Sequence, residues 1–280
     1  MSNWISINEG TIRISVFLSI FGLMAIWELL AARRKLGELK GRRWTGNLGI
    51  VLVDTTVVRL LFPAGAVGIA LAADEFKWGL FHHIDLPYWS EVLLSFILLD
   101  LAIYLQHMMF HAIPALWRLH MVHHADVDID VTTGIRFHPI EIVLSMLIKI
   151  LVIAILGAPV VAVVAFEVFL NASAMFNHAN VRIPLGIERL LRWLVVTPDM
   201  HRVHHSVEAK EHSTNFGFNL SCWDRMFGTY LDQPAKGHEG MSIGLSDFRE
   251  PRWRSFLRIL QMPFVKQADD SEQTKTKQQE

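Results

Sequence analysis

The chain has a single cysteine, Cys222, among its 280 residues. No intrachain disulfide can form, and a reducing compartment suits the soluble part. Net charge is −1, which leaves no global basic face for nucleic acid. Charged residues make up only 19% against 52% hydrophobic, and mean hydropathy is +0.32. That is too apolar for an ordinary soluble domain, so membrane segments are expected. The His-Glu-x-x-His pattern of single-zinc hydrolases is missing from the histidine clusters. No flavin motif or fused cytochrome is visible, so redox chemistry would draw electrons from a separate donor. The first apolar run is too long for a cleavable signal and has no small-residue cleavage site, which predicts a retained helix.

What is present begins with long apolar runs. Residues 11–32 are long enough to span a bilayer core. Arg33, Arg34, Lys35, Lys40, Arg42 and Arg43 follow, a cationic loop that marks the cytoplasmic side. Residues 46–73 form a second apolar run interrupted by Asp54, Arg59 and Pro63, and Asp54 and Arg59 are expected to pair within it, with facing a polar interior as the alternative. His82 and His83 fall in the next loop, across the membrane from the other histidines, and are excluded as ligands. A third span starts near Trp89. Residues 139–157 and 159–175 read as a helical hairpin turning at Gly157-Ala158-Pro159. Glu141, Lys149 and Glu167 make this hairpin less apolar, and partial insertion is expected. The fold class predicted is an all-α integral membrane protein of about four spans, three single helices plus the hairpin, with a cytosolic helical cap. Trp193, Trp223 and Trp253 are expected as interfacial anchors. The polar tail from Lys266 is expected to be disordered.

The third span ends in histidines. His107 and His111 are spaced i, i+4, so both rings leave one helix face and can grip one metal ion. Pro114 should end or kink that helix. A second helix then presents His120, His123 and His124, and the same HxxHH spacing recurs at His201, His204 and His205. His178 returns to the same membrane face at the end of the hairpin. A lone buried histidine is usually a hydrogen-bonded core residue. Eight in three helix-compatible spacings are hard to explain by packing, because imidazole is costly to bury without a partner. The number suits two metal ions with room for water and substrate. Asp100 shares a polar stripe with Tyr104, His107 and His111. It is a candidate to orient an imidazole, with a hydrogen bond to a neighbouring helix as the alternative. Histidine ligation without cysteine suits iron, zinc or copper. A structural zinc needs fewer ligands, and bis-histidine haem needs a facing pair inside spans. A dinuclear non-haem iron centre that activates dioxygen fits best, and its place beside the bilayer points to a lipid substrate.

In order, these motifs are HxxxH, HxxHH, Arg136-x-His138-Pro139-x-Glu141, His178, HxxHH, Asn215-Phe216-Gly217 and Trp223-Asp224-Arg225-x-Phe227-Gly228-Thr229-Tyr230. The order resembles the fatty acid hydroxylase superfamily, also called the sterol desaturase family, over about residues 90–232. The resemblance implies residues 91–232 as the catalytic domain; residues 1–90, read as N-terminal membrane helices, and 233–280, read as a cytosolic C-terminal segment, carry no family signature. It implies two iron ions on the cytosolic face, held by His107, His111, His120, His123, His124, His201, His204 and His205, with His178 as a further ligand. His138 is then a supporting residue or a tenth ligand. Asp100, Glu141, Asp199 and Asp224 are candidates for holding imidazole tautomers. His212 and His238 are read as incidental. The family hydroxylates, desaturates or oxidatively cleaves lipids with dioxygen and electrons from a cytochrome, ferredoxin or reductase. Desaturation, or ether-lipid cleavage with a pterin, is the alternative on the same scaffold, and a non-enzymatic metal store or sensor is the other.

Overall fold

The computed structural model describes residues 2–265; the polar tail from Lys266 lies outside them. Five stretches are long and apolar enough to cross a membrane: Ile7–Leu30, Lys40–His82, Tyr88–Ala112, Pro139–Leu156 and Val160–His178. They are carried by helices α1 (Ser2–Leu30), α2 (Lys40–Leu61), α3 (Gly65–Phe76), α4 (Tyr88–Ala112), α6 (Pro139–Leu156) and α7 (Val160–His178). Helix α5 (Pro114–His124) precedes α6, and α8 (Leu185–Leu191) and α9 (Pro198–His204) follow α7. No strand is assigned among the described residues, only isolated bridges. The chain is an all-helical, multi-pass membrane protein.

Helix α7 is the central post. Half of its apolar window is buried, against 11% for α1. Leu99 on α4, Ile153 on α6 and Val163 and Phe166 on α7 form the main core. Leu52, Leu60, Leu151 and Ile155 point outward, as an apolar helix does toward lipid. Helix α1 packs along α7, and α2 packs on α6.

The hairpin is where the span count rises from about four to five. Its carboxylates are turned inward, Glu141 and Glu167 each being 4% exposed. Glu167 is paired with Lys149 and, at 2.5 Å, with Arg13. With its charges facing the bundle, each arm is long and apolar enough to cross in full. Gly157 makes the turn: its φ is +66°, and a Cβ there would lie 2.7 Å from the Trp78 carbonyl oxygen.

Two expectations are corrected here. Asp54 and Arg59 form no ion pair among the described residues, and Asp54 Oδ1 is buried without a hydrogen-bond partner. Five residues of α-helix turn by about 140°, which separates the two side chains around α2. Trp223 and Trp253 are core residues at 7% and 8% exposure, and of the three expected anchors Trp193 alone is exposed. Trp253 packs with Ile50, Met121, Ile259 and Met262, which pins the C-terminal Phe256–Gln261 helix onto α2.

A buried ionic knot joins α2 to the segment after α5. Arg43, read from sequence as one more cation of the basic loop, is 0% exposed. Its guanidinium donates to both Asp126 oxygens at 2.7 and 2.8 Å, to Asp130 at 2.7 Å and to the Asp128 carbonyl at 2.9 Å. Asn47 Nδ2 adds a bond to Asp126 at 3.1 Å. The knot fixes residues 126–136, and that segment leads directly into the site.

Candidate metal centre

Pro114 sits at the first position of α5 and forces the break after Ala112. The chain therefore folds α5 back against α4, so His120 and His124 meet His107 and His111. Helix α7 delivers His178 from its last turn, and α9 delivers His201 and His204, with His205 just after it. Nine nitrogen donors thus fall into two groups. One holds His107, His111, His120, His124 and His204; the other holds His123, His178, His201 and His205. Within each, the ligand atoms lie within 4.8 Å of one another.

Both HxxHH motifs divide between the groups. His120 and His124 serve the first while His123 serves the second; His201 and His205 serve the second while His204 serves the first. On a helix, positions i+3 and i+4 fall on opposite sides of position i, about 100° apart. One short helix can therefore straddle two ions.

Hydrogen bonds fix the tautomers. Nδ1 of His107 donates to the Phe216 carbonyl at 2.8 Å, and that of His123 to the Arg136 carbonyl at 3.1 Å. Nδ1 of His178 donates to the Ala174 carbonyl and that of His204 to the Thr214 carbonyl, both at 2.7 Å. His120 Nδ1 meets Glu141 Oε1 at 2.6 Å. A neutral imidazole has one N–H, so in these rings Nε2 is a bare lone pair. Yet His123 Nε2 faces His178 Nε2 at 3.0 Å, and His107 Nε2 faces His120 Nε2 at 3.1 Å. Nε2 of His201 and of His205 also approach His178 Nε2, at 3.0 and 3.1 Å. Lone pairs converging at that distance repel unless a cation lies between them. Two nitrogens bound to one ion at 2.0–2.1 Å would be about 2.9–3.4 Å apart. The donor set fits a metal ion in each group.

Burial keeps the rings neutral. It pushes the His120 imidazole down to about 3. In His123, His124, His201, His204 and His205, burial and then neighbouring rings hold the value well below the usual one. In the unfolded chain these rings take up protons near pH 6.5. Their contribution to stability is therefore complete above that pH and is lost as pH falls below it, at about 1.4 kcal/mol per ring per pH unit. Metal-free protein is expected to show a melting temperature that is flat from pH 8 to 7 and drops steeply between 6.5 and 5. Thermal unfolding after chelation checks this, and an unchanged melting temperature at pH 5.5 would contradict it.

Four aromatic rings wall the centre. Phe137 stacks on His123 at 4.4 Å, and Phe216 meets His107, His111 and His204 at 5.1–5.6 Å. Phe218 covers His201 at 6.1 Å, while Trp117 lies 4.9 Å from His111 and 5.3 Å from His124. Below Phe137 and Phe218, a cavity of about 380 Å³ runs down between α1, α2, α4, α6 and α7. The paired Gly and aromatic residues from Asn215 to Asn219 already suggest from sequence a packed loop over the cluster, whereas Phe137, Trp117 and the Arg43 knot carry no such signal.

Among the candidate supporting carboxylates only Glu141 touches a ligating imidazole, and Asp100 takes its alternative role, a hydrogen bond to a neighbouring helix. Asp100 touches no imidazole; its Oδ2 accepts from Trp223 Nε1 at 2.8 Å and Leu220 N at 3.1 Å. It lies seven residues before His107, about 10 Å along the helix. Asp224 accepts from the backbone N–H of Phe216 and Gly217 at 2.8 and 2.9 Å. It acts on His107 only through the Phe216 carbonyl. Gly217 is required there, since a Cβ would come within 2.6 Å of Asp224 Oδ2. Asp199 is ion-paired with Arg33 and Arg202. His138 belongs to neither group: its Nδ1 accepts from Ile140 N and caps α6. His212 stacks on Trp117 at 5.6 Å, outside both groups. His82 lies beside Gly157, at the opposite end of α6 from the centre.

Residues 92–229 match the family described as fatty acid hydroxylase. The chain is 25% identical over 233 residues to an ornithine lipid hydroxylase from Rhizobium tropici, covering 81% of this chain and 70% of that protein. To an alkylglycerol monooxygenase from Xenopus tropicalis it is 27% identical over 231 residues, 81% of this chain and 50% of that protein. A cholesterol 25-hydroxylase from Mus musculus is 24% identical over 148 residues, covering 52% of this chain and 48% of that protein. The chain thus spans about half the length of the last two. No solved structure matches it.

Proposed function

Residues 92–229 belong to the fatty acid hydroxylase family, and from that premise we propose that the chain is a membrane-bound, oxygen-dependent lipid hydroxylase with one non-haem iron ion in each histidine group. The facing of bare Nε2 lone pairs, His107 with His120 at 3.1 Å and His123 with His178 at 3.0 Å, carries this reading. Iron bound there supplies the reduction of dioxygen: one oxygen atom enters a C–H bond and the other leaves as water, with two electrons and two protons from a separate donor protein. The carbonyl acceptors and Glu141 hold the rings in the ligating tautomer. Phe137, Phe216, Phe218 and Trp117 keep water from the centre. The cavity below Phe137 and Phe218 receives the lipid from the bilayer.

The relatives reported above are named for an ornithine lipid, an alkylglycerol and cholesterol, which supports a lipid substrate here. Cleavage of an ether lipid follows from the same hydroxylation when the carbon attacked bears an ether oxygen. The basic loop lies at the metal end of the bundle, where Arg33 reaches Asp199 at 3.1 Å, and this supports a site facing the cytoplasm.

The test is metal analysis and oxygen uptake on protein purified in nanodiscs with a chemical reductant. Two ions per chain and lipid-dependent oxygen consumption are expected. Two ions without oxygen uptake for any lipid would replace the enzyme by a metal store.

A further inference from the structure

The cavity beneath the centre has charged and polar side chains among its apolar lining. At its deep end Arg13 and Lys149 are both engaged by Glu167. Nearer the centre, three residues that line it each carry a buried oxygen without a hydrogen-bond partner: Asp54 Oδ1, Gln106 Oε1 and Glu141 Oε2. They come from three different helices, α2, α4 and α6. Asp54 is 7% exposed and Glu141 4%, and the two carboxyls lie within electrostatic reach of each other. Buried acceptors left without a donor are costly, and two neighbouring carboxyls more so. Arg59, the cation nearest to Asp54 along α2, is exposed and turned away from Asp54 around the helix.

Three acceptors arranged around one cavity suit a group with three donors. A primary ammonium has three N–H bonds, a hydroxyl has one and a quaternary ammonium has none. We propose that this cavity takes the primary-amine head of a lipid, with its ammonium on Asp54 and its remaining N–H bonds shared between Gln106 and Glu141. The inference rests on the oxygenase reading for the identity of the neighbouring centre. It adds that the head, and not the far end of an acyl chain, is held under Phe137 and Phe218. The carbon presented for oxidation is then one close to the amine.

The test is binding, read without turnover on the metal-loaded full chain in nanodiscs under nitrogen. The probes are tetradecylamine, its N,N,N-trimethyl analogue, N-tetradecylacetamide and propylamine. Wild type is expected to bind tetradecylamine at least ten-fold more tightly than the trimethyl compound or the amide, and to show no binding of propylamine at the same concentrations. Asp54→Asn is expected to remove the preference while leaving amide affinity unchanged, and Gln106→Met to weaken amine binding in the same direction. Metal content measured on each variant reports whether the fold is intact. Equal affinity for the amine and the trimethyl compound, a preference retained in Asp54→Asn, or propylamine binding as tightly as tetradecylamine would each overturn the proposal. Oxygen uptake supported equally by amine and choline lipids would sink this inference and leave the oxygenase reading standing. An amine preference without oxygen uptake would do the reverse.

Discussion

Replacement of His178 by alanine is expected to lower the metal content from about two ions per chain to about one, and lipid-dependent oxygen uptake by at least about 100-fold. The reason is its position: His178 Nε2 is the atom that His123, His201 and His205 all approach, at 3.0–3.1 Å. Without it the second group keeps three nitrogens, spread around a gap, while the first group keeps all five. The two consequences should separate, with half the metal remaining and almost no turnover, because oxygen chemistry at a paired centre needs both ions. His83→Ala, exposed in the loop on the far side of the membrane-spanning helices, is the matched control and should change neither quantity. Metal analysis with oxygen-electrode kinetics on both variants decides it; full turnover by His178→Ala would remove the second group from the mechanism.

Arg43→Met is expected to destabilise the fold by about 3–5 kcal/mol, a large fraction of what an ordinary protein has in total. The substitution leaves Asp126 and Asp130, 2% and 0% exposed, as buried carboxylates without their cation. Arg43→Lys should recover only part of the loss, because an ammonium cannot form the two-pronged contact with Asp126. The knot also bears on the centre through Arg136, whose carbonyl holds His123 Nδ1. Thermal unfolding of both variants, with metal content alongside, checks the expectation. A melting temperature for Arg43→Met within two or three degrees of wild type would contradict it.

The histidines were legible because metal ligation on helices leaves a local signature. Spacings of three and four residues report a shared face whatever the rest of the chain does. The division of each HxxHH motif between two ions was not legible, since one spacing serves either one ion or two until the opposing helix is in place. The carboxylates were harder. Asp100 and Asp224 lie near histidines in space but act on the backbone of the segment from Phe216 to Trp223. That segment folds back across more than 100 residues, and no periodicity announces it. Arg43 finds Asp126 and Asp130 at separations of 83 and 87 residues, so from sequence it was indistinguishable from its solvated neighbours in the basic loop. Of these carboxylates only Glu141 is in contact with an imidazole, that of His120. The hairpin was underestimated for a related reason: composition counts its charges but does not show that they face inward.

The straddling of α5 and α9 has a mechanical consequence. Because each helix sends rings to both metal positions from within about one turn, the gap between those positions is set by helical pitch. Widening or narrowing it would mean unwinding two backbone turns at once. The pair of iron ions proposed here would thereby be held to a constant gauge through changes of oxidation state, with the stiffness of the peptide backbone as its ruler.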